Sequence, residues 1–247
     1  MLSILITSIA SLFFLIGYLI TKFVNNKEKL YNFSLGIAFS ALLYIVLLDV
    51  IPEVFEIFNP LKNKYLIMII LALCGFFIFY FLDAMIPDHH HKHKEKNDNK
   101  IEHYGHKSHI GVITAIAVII HNLVEGTSIF IVANNNIKAG ILMSIAVGIH
   151  NIPFGIEVFA SSKKNIKNIF LNILLVMSTT IGGLIVFIFN NSFNEIILGC
   201  LLVLTVGMCI YIIFMELLKE LIHNQNKKVS FAGIIMGIII MILSSLI

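Results

Sequence analysis

Residues 113–132 read ITAIAVIIHNLVEGTSIFIV, an apolar run that carries a histidine, an asparagine and a glutamate near its centre. A run of about 20 apolar residues spans the hydrocarbon core of a bilayer, where polar side chains are costly unless they face partners. His121 and Glu125 are four residues apart, so a helix places them on one face, one turn apart. This spacing is typical of metal ligands and predicts a functional site within the membrane.

A second run, residues 140–159, reads GILMSIAVGIHNIPFGIEVF and repeats the pattern. Its His150 and Asn151 align with the His-Asn pair of the first run, and Phe154 stands where the first run has glutamate. A further acid, Glu157, lies seven residues beyond His150 on the same helical face, about 10 Å farther along the helix. The two runs therefore predict one shared site between two helices, with Glu157 as a neighbouring transit site.

The composition fixes the class of protein. The chain of 247 residues is 58% hydrophobic and 13% charged, with a mean hydropathy of +0.95, which excludes an ordinary soluble domain. We predict an all-α integral membrane protein in which residues 1–247 form a single transmembrane transporter domain. Its eight predicted helices, α1 to α8, cover about residues 2–23, 31–57, 65–86, 110–132, 139–161, 168–190, 196–222 and 229–247.

The distribution of lysines predicts the topology, because all 17 basic residues are lysines. Only Lys62, Lys64 and Lys138 lie in loops that follow even-numbered predicted helices. The positive-inside rule therefore places the lysine-rich loops in the cytoplasm and both termini on the extracytoplasmic side. The lysines are explained by a multi-pass protein of the cell membrane, so we expect no nucleic-acid partner.

The predicted loop at about residues 87–109 holds seven of the ten histidines. Such a polar tract cannot bury enough apolar surface to fold alone, and its imidazoles suit weak binding of divalent ions. A solvated linker with incidental histidines is the alternative. The three cysteines lie within predicted helices without a CxxC spacing, so we expect them to be buried packing residues.

A second internal similarity links α2 to α7. Residues 44–53, YIVLLDVIPE, match residues 211–220, YIIFMELLKE, at the tyrosine, an isoleucine and both acidic positions. The predicted topology runs these two helices in opposite directions, as it does α4 and α5. Both similarities fit an inverted repeat, the architecture that builds a transporter site near the bilayer midplane. Asp49 and Glu216 are the acids that this repeat places within the membrane. Ordinary solvation at the membrane rims is expected for five other polar residues: Asp83, Glu53, Glu56, Glu220 and His223.

At these motifs the chain resembles the ZIP (Zrt/Irt-like) divalent metal transporters, most closely their bacterial branch. The resemblance rests on His121 to Gly126, on His150 to Gly155, and on the acidic motifs of α2 and α7. It implies eight helices in an inverted-repeat bundle, outward termini, a histidine-rich cytoplasmic loop and metal uptake into the cytoplasm. The chain departs from two-metal members at Phe154 and Thr179, where the family has acids, so we expect one metal site.

The candidate ligands share imidazole, carboxylate or carboxamide donors, which suit zinc, iron, manganese, cobalt or cadmium. They are His121, Asn122, Glu125, His150, Asn151, Glu157, Asp49 and Glu216. We expect the divalent ion, zinc above all, to be the transported substrate and no cofactor to be tightly bound. The other expected partner is the lipid bilayer, and a homodimer is an option that the sequence leaves open.

Two alternatives to transport remain open at this point. Loss of the glutamate at Phe154 fits a homologue that senses metal without moving it. A histidine and a glutamate near mid-bilayer could also hold a zinc-bound water in an intramembrane metalloenzyme. The chain has no His-Glu-x-x-His run, so we expect a transporter and not an enzyme.

Overall fold

The computed structural model describes residues 1–85, 99–161, 166–189, 195–224 and 226–246. Within these ranges the regular structure is entirely helical, and eight helices are long and apolar enough to cross a membrane. The predicted all-α membrane architecture is confirmed. Many large apolar side chains point outward, such as Leu66 and Phe81 on α3, as expected of surfaces that face lipid.

The helix bounds agree with the predicted order, and two helices are composite. In chain order the helices are α1 (Leu2–Phe23), α2 (Lys27–Tyr44, Ile45–Val50 and Ile51–Phe58), α3 (Lys64–Met85), α4 (Asn99–Asn135), α5 (Ile137–Ser161), α6 (Ile166–Phe189), α7 (Glu195–Tyr211, Ile212–Leu217 and Leu218–His223) and α8 (Lys227–Ser245).

The main correction to the predicted bounds concerns the start of α4. The helix begins at Asn99 and not near residue 110, so the second half of the predicted histidine-rich loop is helical. A polar extension of a helix carries no hydrophobic signal, which is why the sequence pattern missed it. The first half of that loop, with four of its histidines, lies outside the described residues.

Side-chain caps fix the start of two helices. Asn26 precedes α2 and accepts a hydrogen bond from the backbone N–H of Lys29, with a donor–acceptor distance of 2.9 Å. Asn136 does the same before α5, where the N–H of Ala139 lies 3.2 Å from its Oδ1. Each cap satisfies a backbone donor that the first helical turn leaves without a partner.

A π-helical turn interrupts both α2 and α7 at the same place in the internal repeat. The turns cover Ile45–Val50 and Ile212–Leu217, each starting directly after the repeated tyrosine. Pro52 follows the first turn, but Lys219 occupies the matching position after the second. Proline is therefore not the common cause, and the wide turn belongs to the repeated position itself.

The packing of the helices also follows an inverted repeat. The helix α1 crosses α5 where a Cβ at Gly17 would lie 2.8 Å from the backbone of Gly155, and α6 crosses α4 at Gly126. In the other half, α2 crosses α8 at Gly233 and α7 crosses α3 at Gly207. The repeat relates α1, α2 and α3 to α6, α7 and α8, and it relates α4 to α5. The pair α1–α5 therefore corresponds to α6–α4, and the pair α2–α8 corresponds to α7–α3, as an inverted repeat requires.

The cysteines differ from the expected buried packing. Cys209 is buried, Cys200 is half-buried, and Cys74 is exposed on the outer face of α3. The prediction is therefore wrong for Cys74. The reason is that an outward apolar face of a membrane helix meets lipid, so a small hydrophobic side chain there needs no protein partner.

Candidate metal site

Three of the predicted ligands meet between α4 and α5. His121 Nε2 and His150 Nε2 each lie 3.1 Å from Glu125 Oε1. One ligand atom from each of the three residues falls within 4.8 Å of the others, close enough to hold one metal ion. Both histidines are buried, and the side chain of Glu125 is 13% exposed. We call these three residues the triad.

Local structure explains why the triad forms. One helical turn separates His121 from Glu125 on α4, so both side chains face α5 together. On α5, Pro153 lies within the helix, and its missing N–H leaves one carbonyl of the preceding turn without its helical partner. Close helix crossing holds the frame, because a Cβ at Gly126 would lie only 2.0 Å from the carbonyl oxygen of Thr179 on α6.

The two carboxamides that follow the triad histidines in the chain are fully buried. Asn151 Nδ2 donates a hydrogen bond to the carbonyl oxygen of Ala10 at 3.3 Å, which ties α5 to α1. Neither polar atom of Asn122 has a hydrogen-bond partner among the described residues. The structure thus places both predicted carboxamides close to the triad in the chain and records no direct contact with it.

Chemically, the triad offers two imidazole nitrogens and one carboxylate. This set suits zinc and the neighbouring divalent ions, and it leaves coordination positions open. One carboxylate neutralises half of the charge of a divalent ion. The triad can therefore bind a metal ion without enclosing it, which suits a site that must also release its ion.

Comparison with known proteins agrees with this geometry. A sequence profile of the ZIP zinc transporter family matches residues 1–109 and 86–245 of the chain. The chain belongs to the ZIP zinc transporter family. It is similar to zinc transporter ZupT of Clostridium perfringens, with 28% identity over 98% of this chain and 94% of that protein. Zinc transporter ZupT of Chlorobaculum parvum is 27% identical over 94% of this chain and 90% of the relative.

Two positions set this ZIP family member apart from the two-metal pattern described above. Phe154 is fully buried and belongs to the main hydrophobic core, one turn after His150. Thr179 is also fully buried, and its hydroxyl has no hydrogen-bond partner among the residues described. The triad consequently contains the only carboxylate of the two aligned motifs.

The remaining predicted ligands do not join the triad. Asp49 lies on the first π-helical turn, is exposed, and interacts electrostatically with Glu125 and both triad histidines. Glu53, one turn further along α2, interacts with Glu125 and His121 in the same way. Within the described part of the chain, no group of metal-binding side chains as compact as the triad includes Asp49, Glu157 or Glu216.

A second group of acids lies at the other end of the bundle. Glu157 is fully buried and Glu216 is 8% exposed, and both interact electrostatically with the phenol of Tyr31. Glu220 shares a side-chain hydrogen bond with Tyr31 and is also 8% exposed. The expectation that Glu220 is solvated at the membrane rim is therefore wrong. The four-residue spacing of Glu216 and Glu220 could have indicated a shared inward face.

Asp83 was likewise expected to be solvated at a rim. It instead accepts a hydrogen bond from the hydroxyl of Tyr211, in a cluster of aromatic rings on α3 and α7. A buried phenol needs such a partner, so Asp83 has a structural role that joins the two helices.

Proposed function

We propose that this protein transports divalent transition-metal ions, zinc above all, across the cell membrane into the cytoplasm. The observation that carries the proposal is the convergence of His121, Glu125 and His150 inside the bundle of a ZIP family member. Buried ionisable side chains in a membrane bundle are retained where an ion pathway needs them. Relatives named zinc transporters support zinc as the first substrate to test, with iron, manganese and cadmium as competitors.

Uptake into the cytoplasm is the direction that the family resemblance implies, and the proposed topology orients the pathway. The lysine-rich loops face the cytoplasm and both termini face outward. In this orientation Asp49 and Glu53 lie on the outer side of the triad, and Glu157, Glu216 and Glu220 lie toward the cytoplasm. The acids on each side supply the negative charge that a single triad carboxylate leaves unbalanced for a divalent ion.

The proposed route therefore has three stages. Ions are attracted by Asp49 on the outer side, bind the triad with Asn122 and Asn151 beside it, and leave past Glu157 and Glu216. The triad is the principal stage of the route. Among the described residues, only its ligand atoms lie close enough together to coordinate one ion. We expect anomalous scattering from metal-soaked crystals to show one ion there, and a pair about 4 Å apart would contradict the single-site proposal.

The decisive experiment is uptake of radioactive zinc into proteoliposomes that contain the purified protein. Wild-type protein is expected to give saturable uptake, competed by unlabelled divalent ions. His121→Ala is expected to abolish it, and His223→Ala is a matched control because His223 is exposed and bonded to the backbone of its own helix. Equal uptake by both variants would remove His121 from the pathway.

A metal sensor that does not transport is the second candidate. The observation in its favour is Phe154, a fully buried aromatic ring where the family resemblance implies a metal-binding acid. A sensor binds zinc without moving it. Zinc binding by the detergent-solubilised protein, together with no uptake above protein-free vesicles, would support the sensor and contradict transport.

A further inference from the structure

Four polar atoms beside the triad are buried without a hydrogen-bond partner among the described residues. They are Oδ1 and Nδ2 of Asn122, Oδ1 of Asn151 and Oγ1 of Thr179. All three side chains are fully buried. A buried polar atom left without a partner costs about 1–3 kcal/mol, so a cluster of them indicates a polar ligand that belongs there.

These side chains belong to one region of the bundle. Asn122 and Asn151 directly follow the two triad histidines, and those histidines contact the same oxygen of Glu125. Thr179 packs its backbone against Gly126, one turn after Asn122. The hydrogen bond from Asn151 Nδ2 to α1 fixes that side chain and leaves its oxygen as the free end. Asn122 therefore lies on the face of α4 that meets α6 near Thr179, and Asn151 lies on the face of α5 that meets α1.

The chemistry of these groups selects the ligand. Apart from the carboxylate of Glu125, Asn122, Asn151 and Thr179 offer a second divalent ion only neutral oxygens. Such an ion also could not accept a hydrogen bond from the N–H donors of Asn122. Water accepts from an N–H and donates to two oxygens, so it matches both kinds of group. The donor set fits water and does not fit a second cation.

We propose that Asn122, Asn151 and Thr179 hold a water molecule that completes the coordination of the ion at the triad. This proposal rests on the proposed function and assigns the three residues as positioning residues. Two histidines, one glutamate and one water form an open site. Zinc sites with three protein ligands and one exchangeable water have the same arrangement. Because one ligand is water, the protein exchanges only three of its own ligands when the ion leaves.

Cu(II) is a suitable spin probe for this site, because it binds nitrogen and oxygen ligands more tightly than other divalent ions of the first transition series. The probe is added to a parent protein in which the seven histidines of residues 89–109 are replaced by glutamine, because these would also bind divalent ions. Electron–nuclear double resonance of this Cu(II)-loaded protein in D2O reports bound imidazole nitrogens and exchangeable deuterons separately. We expect couplings from two imidazoles and from one strongly coupled, exchangeable water. We also expect one zinc ion per chain of the parent protein by elemental analysis.

Asn122→Leu removes the carboxamide with little change in side-chain volume. It is expected to weaken zinc binding by about 10–100-fold, the range for groups that support a metal ligand, and to remove or displace the deuteron signal. Thr114→Val is the matched control. Thr114 is also fully buried on α4 with a hydroxyl that lacks a described partner, but it lies two turns away from Asn122. Its zinc affinity and deuteron signal are expected to match wild type.

Three results would overturn the water site. They are absence of strongly coupled deuterons in the parent protein, two zinc ions per chain of the parent protein, or unchanged zinc affinity when Asn122→Leu is added to it. The first and second need no change at Asn122, so they apply even if Asn122→Leu does not fold. Absence of imidazole couplings is a different result, because it would contradict metal binding by the triad and with it the proposed function.

Discussion

The motifs of α4 and α5 share a helical setting and differ in one decisive side chain. Each begins with a buried His-Asn pair, and four residues after the histidine α4 has Glu125 whereas α5 has Phe154. Glu125 contacts both histidines, and Phe154 packs in the hydrophobic core. The repeat thus provides two equivalent helix positions, and only the position in α4 carries a charged side chain.

Removing the charge from α4 is expected to have the largest effect. Glu125→Gln keeps the shape of the side chain and loses the carboxylate that both histidines contact. Zinc uptake is expected to fall by more than about 100-fold, because loss of a ligand exceeds the 10–100-fold loss typical of supporting groups. Initial rates of uptake by proteoliposomes, corrected for inserted protein, measure it.

The control for this variant is Phe154→Leu, the conservative change at the equivalent position of α5. Leucine keeps an apolar side chain in the core and removes no metal ligand. Zinc affinity is therefore expected to stay within about threefold of wild type. If the leucine variant lost as much uptake as Glu125→Gln, the two motifs would be functionally equivalent despite their different side chains.

Restoring the missing acid is expected to have the next largest effect. Phe154→Glu places a carboxylate one turn from His150. At an intermediate dielectric, two unit charges 4 Å apart attract each other by about 4 kcal/mol, and a divalent ion attracts a carboxylate by about twice that. A charge at mid-membrane costs about 2.5–3.5 kcal/mol. The balance favours tighter zinc binding, by about tenfold or more, with slower turnover. Zinc titration and initial uptake rates of the same variant measure both.

The outcome separates two roles of Phe154. A leak of zinc without saturation, or a lower melting temperature with unchanged affinity, would identify the ring as a hydrophobic gate or a packing residue. Unchanged affinity together with unchanged flux would mean that position 154 does not face the ion. Phe154→Gln is the matched control, because glutamine has the size of glutamate without its charge.

A smaller effect, on stability, is expected where the two motifs cross their neighbours. A Cβ at Gly126 would lie 2.0 Å from the carbonyl oxygen of Thr179, but a Cβ at Gly155 would lie 2.9 Å from that of Phe14. Gly126→Ala is therefore expected to destabilise the bundle by about 1–3 kcal/mol, and Gly155→Ala by less. Thermal unfolding in detergent compares them, and a larger loss for Gly155→Ala would contradict the crossing geometry.

The triad could be predicted from the sequence because its signals are local. The four-residue spacing of His121 and Glu125 defines one helical face, and the repeated His-Asn pair points to a partner helix. Eight spans follow from apolar length alone. These features need no knowledge of how distant helices pack.

Features that depend on packing could not be predicted in this way. The π-helical turns of α2 and α7 leave the residue pattern unchanged, and the polar start of α4 has no apolar stripe. Burial of Glu220 depends on Tyr31, which lies in a helix far away in the sequence. The lack of partners around Asn122 likewise becomes visible only when the neighbouring helices are in place.

The smallest effect is expected for histidines outside both motifs. Deleting residues 89–98 removes four histidines and leaves α4 intact from Asn99. Because the triad and its flanking acids lie elsewhere, maximal zinc uptake is expected to stay near wild type. The apparent affinity for zinc is expected to change by no more than about tenfold, which is the smallest loss typical of removing a group that supports a metal ligand. Replacing the same histidines by glutamine, at unchanged loop length, is the matched control. Complete loss of uptake by the deletion but not by the glutamine variant would show a need for the length of the loop, and loss in both would place its histidines on the ion pathway beside those of α4 and α5.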